Sequence, residues 1–254
     1  MTGAEHQAEY LAEWRAAARA AEPDRYLAAL LAPRAARDDL VVLAAFLAEI
    51  GRVPRFVTEP MLGEIRLRWW LDAISGFGKG GRSGNPLADA LGEMALRHGL
   101  AADMLAAAVE ARIGELSAEP MGDEAELWAY LGGREEAPFR LAARILGAPG
   151  TAAADRALAA AGRCYGLVRL AADLPATMRQ GRVMLPRGWI AGGESVAAVQ
   201  MARAGWAALS EVRENQAADA HRLVAAILPC ALVEPHLRAL ERGCWSDAGA
   251  MAGG

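Results

Sequence analysis

The chain has 254 residues, 54% of them hydrophobic and 23% charged, with a net charge of −4. That balance fills a globular core and excludes a disordered chain, while the acidic charge argues against a nucleic-acid binder, which carries a basic excess. Lys79 is the single lysine among 27 Lys and Arg residues, so an arginine here is not by itself a sign of phosphate binding.

Alanine and leucine dominate and hairpin turns are almost absent from the sequence, so each element reads as a helix. A first helix fits Glu5–Ala21 and breaks near Pro23; a second, Asp24–Leu31, stops before Pro33. The third runs from about Ala35 to Val53 with Leu40, Leu43, Phe46, Leu47 and Ile50 as its apolar stripe, and Pro54 kinks or ends it. Thr58 as N-cap and Pro60 in the first turn open a fourth helix, on which Ile65, Trp69 and Ala73 share a face beside Trp70 and Ile74. Gly76–Pro86 is a flexible loop. Helices follow at about Pro86–Arg97, Ala101–Ser117, Asp123–Leu131 and Glu135–Leu146, the last two parted at Gly132-Gly133. Another, Ala152–Leu174, ends at Pro175. The loop Met178–Ile190 leads to closing helices at Ser195–Gln216, Ala218–Leu228 and near His236–Glu241. The expected organisation is an N-terminal helix (1–23), one helical domain (24–243) and a disordered tail (244–254).

Cys164, Cys230 and Cys244 form no CxxC pair, which suits buried thiols in a reducing cytoplasm. The first residues lack the basic and apolar regions of a secretory signal. The apolar runs Leu40–Ala48 and Leu223–Val233 are shorter than the ~20 residues that span a bilayer. A cytoplasmic protein is expected, with membrane contact limited to peripheral association on the cytoplasmic face. The formal GxGxxG at Gly76–Gly81 has no strand before it and reads as a connection. His6, His98, His221 and His236 make no HExxH pair; His98 before Gly99 marks a helix C-terminus. The residues themselves nominate no catalytic group and no metal site.

The stretch Phe46–Arg55 (FLAEIGRVPR), with DRYLAALLAP upstream and TEPMLGEIRLRWWLDAI downstream, resembles the squalene/phytoene synthase family. The resemblance implies an all-α, single-domain, isoprenoid-synthase-like bundle of helices around a central cavity. Active members carry Ala-Phe-Cys-Arg-x-x-Asp-Asp-x-x-Asp here. Aligned on Ala45 and Phe46, those aspartates fall at Gly51, Arg52 and Arg55. A second family motif, anchored on Gly181-Arg182-Val183-Met184-Leu185-Pro186, retains one aspartate as Asp173. Its acidic pair becomes Ala176 and Thr177, and its asparagine and glutamine fall on Arg169 and Gly166. Magnesium takes hard oxygen ligands, which guanidinium groups cannot supply. Glu49, about 200° around the helix from the first expected aspartate, lies on the wrong face.

The match is closest to a divergent branch of the family that includes a mitochondrial assembly factor for respiratory complex I. Its pattern falls on Phe46, Glu49, Ile50, Val53, Glu59, Pro60, Gly63, Ile65, Arg66, Leu67, Trp69 and Trp70, with Arg68 where the branch has glutamine. The resemblance implies a catalytically silent binding protein, with a respiratory-complex protein as partner and an isoprenoid or lipid as ligand. It needs no cofactor. The alternative is an active head-to-head prenyl transferase with a rearranged Mg²⁺ site that recruits Asp72 or Glu64. Gly51, Arg52, Arg55, Arg169, Asp173, Thr177 and Arg182 are the expected vestigial or substrate-binding pocket. Arg52, Arg55, Arg169 and Arg182 either clamp an anionic head group directly or pair with Glu49, Glu59 and Asp173.

Overall fold

Long runs of strong helix formers with few β-branched residues leave little for a sheet to use. The computed structural model describes residues 3–117, 119–215 and 220–242, with backbone alone at 3–8 and 220–222. The expected tail and Cys244, and the side chains of His6 and His221, lie outside the described residues. Among those described there is no strand. The helices are α1 (Gly3–Ala21), α2 (Pro23–Leu31), α3 (Arg34–Phe56), α4 (Pro60–Ser75), α5 (Pro86–His98), α6 (Ala102–Gly114), α7 (Glu124–Leu131), α8 (Ala137–Ile145), α9 (Ala152–Arg179), α10 (Arg187–Ile190), α11 (Glu194–Asn215), α12 (Ala220–Ile227) and α13 (Val233–Glu241).

The 28-residue α9 is the axis. Helix α11 packs along it, α3 packs on α1, α2 and α5, and α4 lies on α6. Phe46 and Ile50 of α3, Leu67 of α4, Leu105 of α6 and Leu167 and Leu170 of α9 are fully buried. Each such side chain contributes about 1.5–3 kcal/mol relative to exposure. Phe46 meets Trp70 edge-on at 5.1 Å between ring centroids, which locks α4 to α3. The segment Leu223–Glu241 has the length and hydropathy of a spanning helix, but half of it is buried. It is also broken into α12, a 3₁₀ turn at Leu228–Leu232 containing Pro229, and α13.

Two prolines do not stop their helices. Pro54 sits in the last turn of α3, which continues to Phe56, with Val57 N–H still reaching the Val53 carbonyl at 3.1 Å. There a proline removes a single hydrogen bond near an end that frays in any case. Pro175 lies inside α9, which runs on to Arg179. The real terminus is set by Gly181, at φ 70°. Gly181 N–H bonds to Met178 O and Arg182 N–H to Thr177 O, both at 2.9 Å, the paired bonds of a Schellman cap. Thr58 does not cap α4; Glu59 holds that place with its backbone carbonyl, because Pro60 already fixes the first helical residue. Gly132-Gly133 does not break the chain either. A π turn, Gly132–Glu136, joins α7 to α8. The loop after α5's predecessor is as expected, with Gly78, Gly80, Gly81 and Gly84 all at positive φ.

Candidate functional site

Gly51, Arg52 and Arg55 lie on α3, and Arg169, Asp173 and Thr177 on α9, with Arg182 just past its cap. The fold brings part of this set together. Arg55 Nη2 donates to Asp173 Oδ1 at 2.8 Å, joining α3 to α9. Arg182 follows at the same end, donating to the carbonyls of Pro54 and Glu115, each at 2.7 Å. Arg169 turns away from these and forks onto Glu22, between α1 and α2, with Nη2–Oε1 at 2.9 Å. Arg52 points outward to Glu49 at 3.8 Å, and Thr177 donates only to the Leu174 carbonyl at 3.2 Å. So Arg52 and Arg55 take the carboxylates Glu49 and Asp173, whereas Arg169 and Arg182 find partners that the sequence did not nominate. Glu64 is occupied by Arg68 at 2.7 Å on the exposed side of α4, and Asp72 is exposed, so neither faces this centre.

The centre is completed by residues without a motif. Arg134 and Glu135, in the π turn, are 3% and 1% exposed. Arg134 donates to Asp173 Oδ2 at 2.6 Å, to Tyr130 OH at 2.6 Å and to Glu135 Oε1 at 3.2 Å. Glu135 also accepts from Arg25 at 2.6 Å, and Arg25 stands 4.7 Å over the Phe139 ring. Arg112, from α6, donates to Glu115 at 2.6 Å, and Tyr130 OH donates to that same carboxylate at 2.7 Å. The Arg112 guanidinium also covers Gly51, where an added Cβ would lie 3.6 Å from Nη2. A cation therefore stands against the place where the family's first aspartate would project.

Three glycines allow this packing. A Cβ on Gly133 would come within 2.5 Å of the Ala107 carbonyl, one on Gly162 within 2.5 Å of Glu136 Cα, and one on Gly166 within 2.8 Å of Leu131. Only a bare backbone lets α9 and α6 close on the π turn. Gly162 and Gly166, one turn apart on α9, were the available sequence signal for that approach. Arg25, Arg112, Arg134, Glu22, Glu115 and Glu135 carried no such signal, because nothing local distinguishes a buried charge from a solvated one.

Burial raises the proton affinity of Glu22, Glu115 and Asp173, but the surrounding guanidinium groups reverse the effect. Arg169, Arg25 and Arg112 together hold Glu22 at about 2. Glu115 is lowered by Arg112 and Arg134 in spite of its burial, and Asp173 likewise by Arg134, Arg55 and Arg169. Five guanidinium groups (Arg25, Arg55, Arg112, Arg134, Arg169) thus surround four carboxylates (Glu22, Glu115, Glu135, Asp173). Beside Gly51 a cavity of about 10 Å³ remains, no more than a water occupies. Both Asp173 oxygens are committed to arginine donors. Among the described residues no group of three or more His, Cys, Asp or Glu is placed to hold a metal ion. The donor set around Asp173 is cationic and does not fit Mg²⁺.

Comparison with known proteins agrees with the architecture. The chain superimposes on the crystal structure of squalene synthase HpnC from Alicyclobacillus acidocaldarius with a TM-score of 0.75, at 16% identity and over 94% of both chains. At that identity the likeness establishes the fold. Over 161 residues, 63% of this chain, it is 26% identical to NADH dehydrogenase (ubiquinone) complex I, assembly factor 6 of Bos taurus. The match spans 48% of that protein, about half its length. The family model for squalene/phytoene synthase matches residues 18–244. Nearly the whole chain is covered, in the expected all-α architecture, and the chain belongs to the squalene/phytoene synthase family.

Proposed function

We propose that this protein is a catalytically silent member of its family that acts by binding, as a factor in the assembly of a respiratory membrane complex. The observation that carries the reading is the state of Asp173. The one carboxylate retained from the family's two acidic motifs is clamped between Arg55 and Arg134. Departure of a diphosphate from a prenyl substrate demands concentrated positive charge at the leaving group, normally supplied by Mg²⁺ on facing carboxylates. In this chain the arginines at that place, Arg55 and Arg134, are already engaged by the chain's own Asp173. The cavity beside Gly51 admits no prenyl chain as it stands, so the reading favours a protein partner over an isoprenoid or lipid ligand. The assembly-factor relative supports the kind of partner.

Purified protein incubated with farnesyl or geranylgeranyl diphosphate, Mg²⁺ and NADPH is expected to release no diphosphate while an active relative does so under the same conditions. Deletion of the gene in its own host is expected to lower the amount of assembled NADH dehydrogenase complex on native gels, restored equally by wild type and Asp173→Asn. Mg²⁺-dependent release that Asp173→Asn abolishes would instead establish an enzyme with a rebuilt site.

A further inference from the structure

We propose that Cys164 and Cys230 form a redox-responsive thiol pair, whose oxidation to a disulfide clamps the closing helices α12 and α13 onto α9. The two lie 66 residues apart in sequence, so only the tertiary fold brings them together. Cys164 is fully buried in the middle of α9, and Cys230 is buried in the 3₁₀ turn Leu228–Leu232. Their sulfurs stand 3.8 Å apart, in van der Waals contact. Both thiols share one acceptor, the Ala161 carbonyl, at 3.5 Å from Cys164 Sγ and 3.7 Å from Cys230 Sγ. A disulfide holds its sulfurs at about 2.0 Å, so an approach of roughly 2 Å makes the bond.

The two thiols differ in how far they can move. Cys164 is fixed within the 28 residues of α9. Cys230 sits in a five-residue 3₁₀ turn, whose hydrogen bonds are poorer than those of an α-helix, beside Pro229, which donates none. The turn is not tightly held on its other side, where a cavity of about 20 Å³ remains between Pro229, Arg25 and Ala226. Leu232, two residues beyond the thiol, is half exposed, so opening of this one turn brings Cys230 to water. While the turn is closed, burial and the adjoining Cys164 thiol push the Cys230 thiol up, which keeps it protonated and unreactive. Opening of the turn is therefore the step that admits an oxidant.

The oxidant class that fits so confined a place is a small peroxide. In the opened turn the Cys230 sulfur attacks one peroxide oxygen and the O–O bond breaks. Cys230 becomes a sulfenic acid, and the other oxygen leaves as water with the thiol's proton. Reclosing sets Cys164 against that sulfenic acid. Its sulfur displaces the hydroxyl group, the S–S bond forms, and a second water departs with the Cys164 proton. The pair loses two electrons and two protons, and one hydrogen peroxide becomes two waters. A dithiol reductant reverses the change by exchange. The bond ties the turn to α9 and restrains the 66-residue span between the two cysteines in the unfolded chain. In the oxidised chain the closing helices are fixed to the axis of the bundle, and in the reduced chain the turn is free to open.

Thiol counting on the full-length protein tests the proposal with readouts that need neither turnover nor a partner. Reduced protein treated with hydrogen peroxide is expected to lose two of its three thiols. A non-reducing digest is expected to give one cross-linked species, joining the peptides that carry Cys164 and Cys230. The melting midpoint is expected to rise by about 5 °C or more and to return with dithiothreitol. Cys244→Ala is expected to behave as wild type. Cys164→Ala is expected to trap the sulfenic acid on Cys230 for labelling by dimedone, whereas Cys230→Ala leaves Cys164 unlabelled. Folded wild-type protein that keeps all three thiols under peroxide that oxidises the urea-unfolded chain would overturn the proposal. So would a cross-link to Cys244, a chain-to-chain disulfide on non-reducing gels, or a Cys164–Cys230 bond that does not raise the melting midpoint.

Discussion

At the centre of the molecule Arg134 is buried among carboxylates, while on the outer face of α4 the apolar side chain of Ile65 is 60% exposed. Each region violates the usual placement of its residue type, and each violation has a free-energy cost. The two are compensated differently. In the centre every carboxylate finds guanidinium partners from other helices, so the cost is met within the chain. On α4, among the described residues, Met61, Leu62 and Ile65 remain more than half exposed. A buried anomaly that is fully partnered explains a structure, and an exposed one that is not points outside it.

The sharpest way to break this contrast is to unpair the centre. Arg134→Met leaves Asp173, Glu115 and Glu135 short of a partner in a dry interior, and is expected to cost about 3–5 kcal/mol in urea denaturation. Acid should act on the same cluster. Glu22 has its carboxyl at about 2 in the fold against an ordinary 4.5. The stability it contributes is complete above pH 4.5 and is lost as the pH falls from there toward 2. Glu115 and Asp173 shift in the same direction and add to that loss. Denaturation midpoints followed from pH 6 downward (about neutral to acid) should therefore decline through this window, less steeply in Glu22→Gln. Gly162→Ala forces a methyl group against the Glu136 backbone and is expected to cost about 1–3 kcal/mol. At the other end, Ile65→Ser should leave stability within about 0.5 kcal/mol of wild type, since that side chain is 60% exposed.

Much of the fold was legible because it rests on local signals. Asn85 before Pro86 starts α5 and Gly99, at φ 57°, ends it, as a cap residue and a left-handed glycine should. Pro54 and Pro175 misled because a proline's local penalty was weighed without the packing that overrides it. At α9 the true stop signal was Gly181, six residues further on. The site was half legible. Asp173 and Arg55 were nominated and do meet, but the partners that define their chemistry were not. Arg169 finds Glu22 across 147 residues of sequence, and Arg25 finds Glu135 across 110. An arginine-rich composition makes any one of these residues look like ordinary surface. The shared face of Ile65 and Trp69 was legible as spacing, but periodicity does not say which side of a doubly apolar helix meets the core.

The π turn at Gly132–Glu136 makes the centre depend on chain length. A π turn holds one residue more than the α-helical path through the same point. Excising either glycine would restore α-helical register and rotate everything on one side of it by about 100°. Leu127 and Leu131, now in the core, would swing off it, or Arg134 and Glu135 would leave the centre. Relatives that differ by a single residue between α7 and α8 therefore differ in what occupies the middle of the bundle, even where every aligned side chain is the same. A gap of one position is, at this point, a change of chemistry.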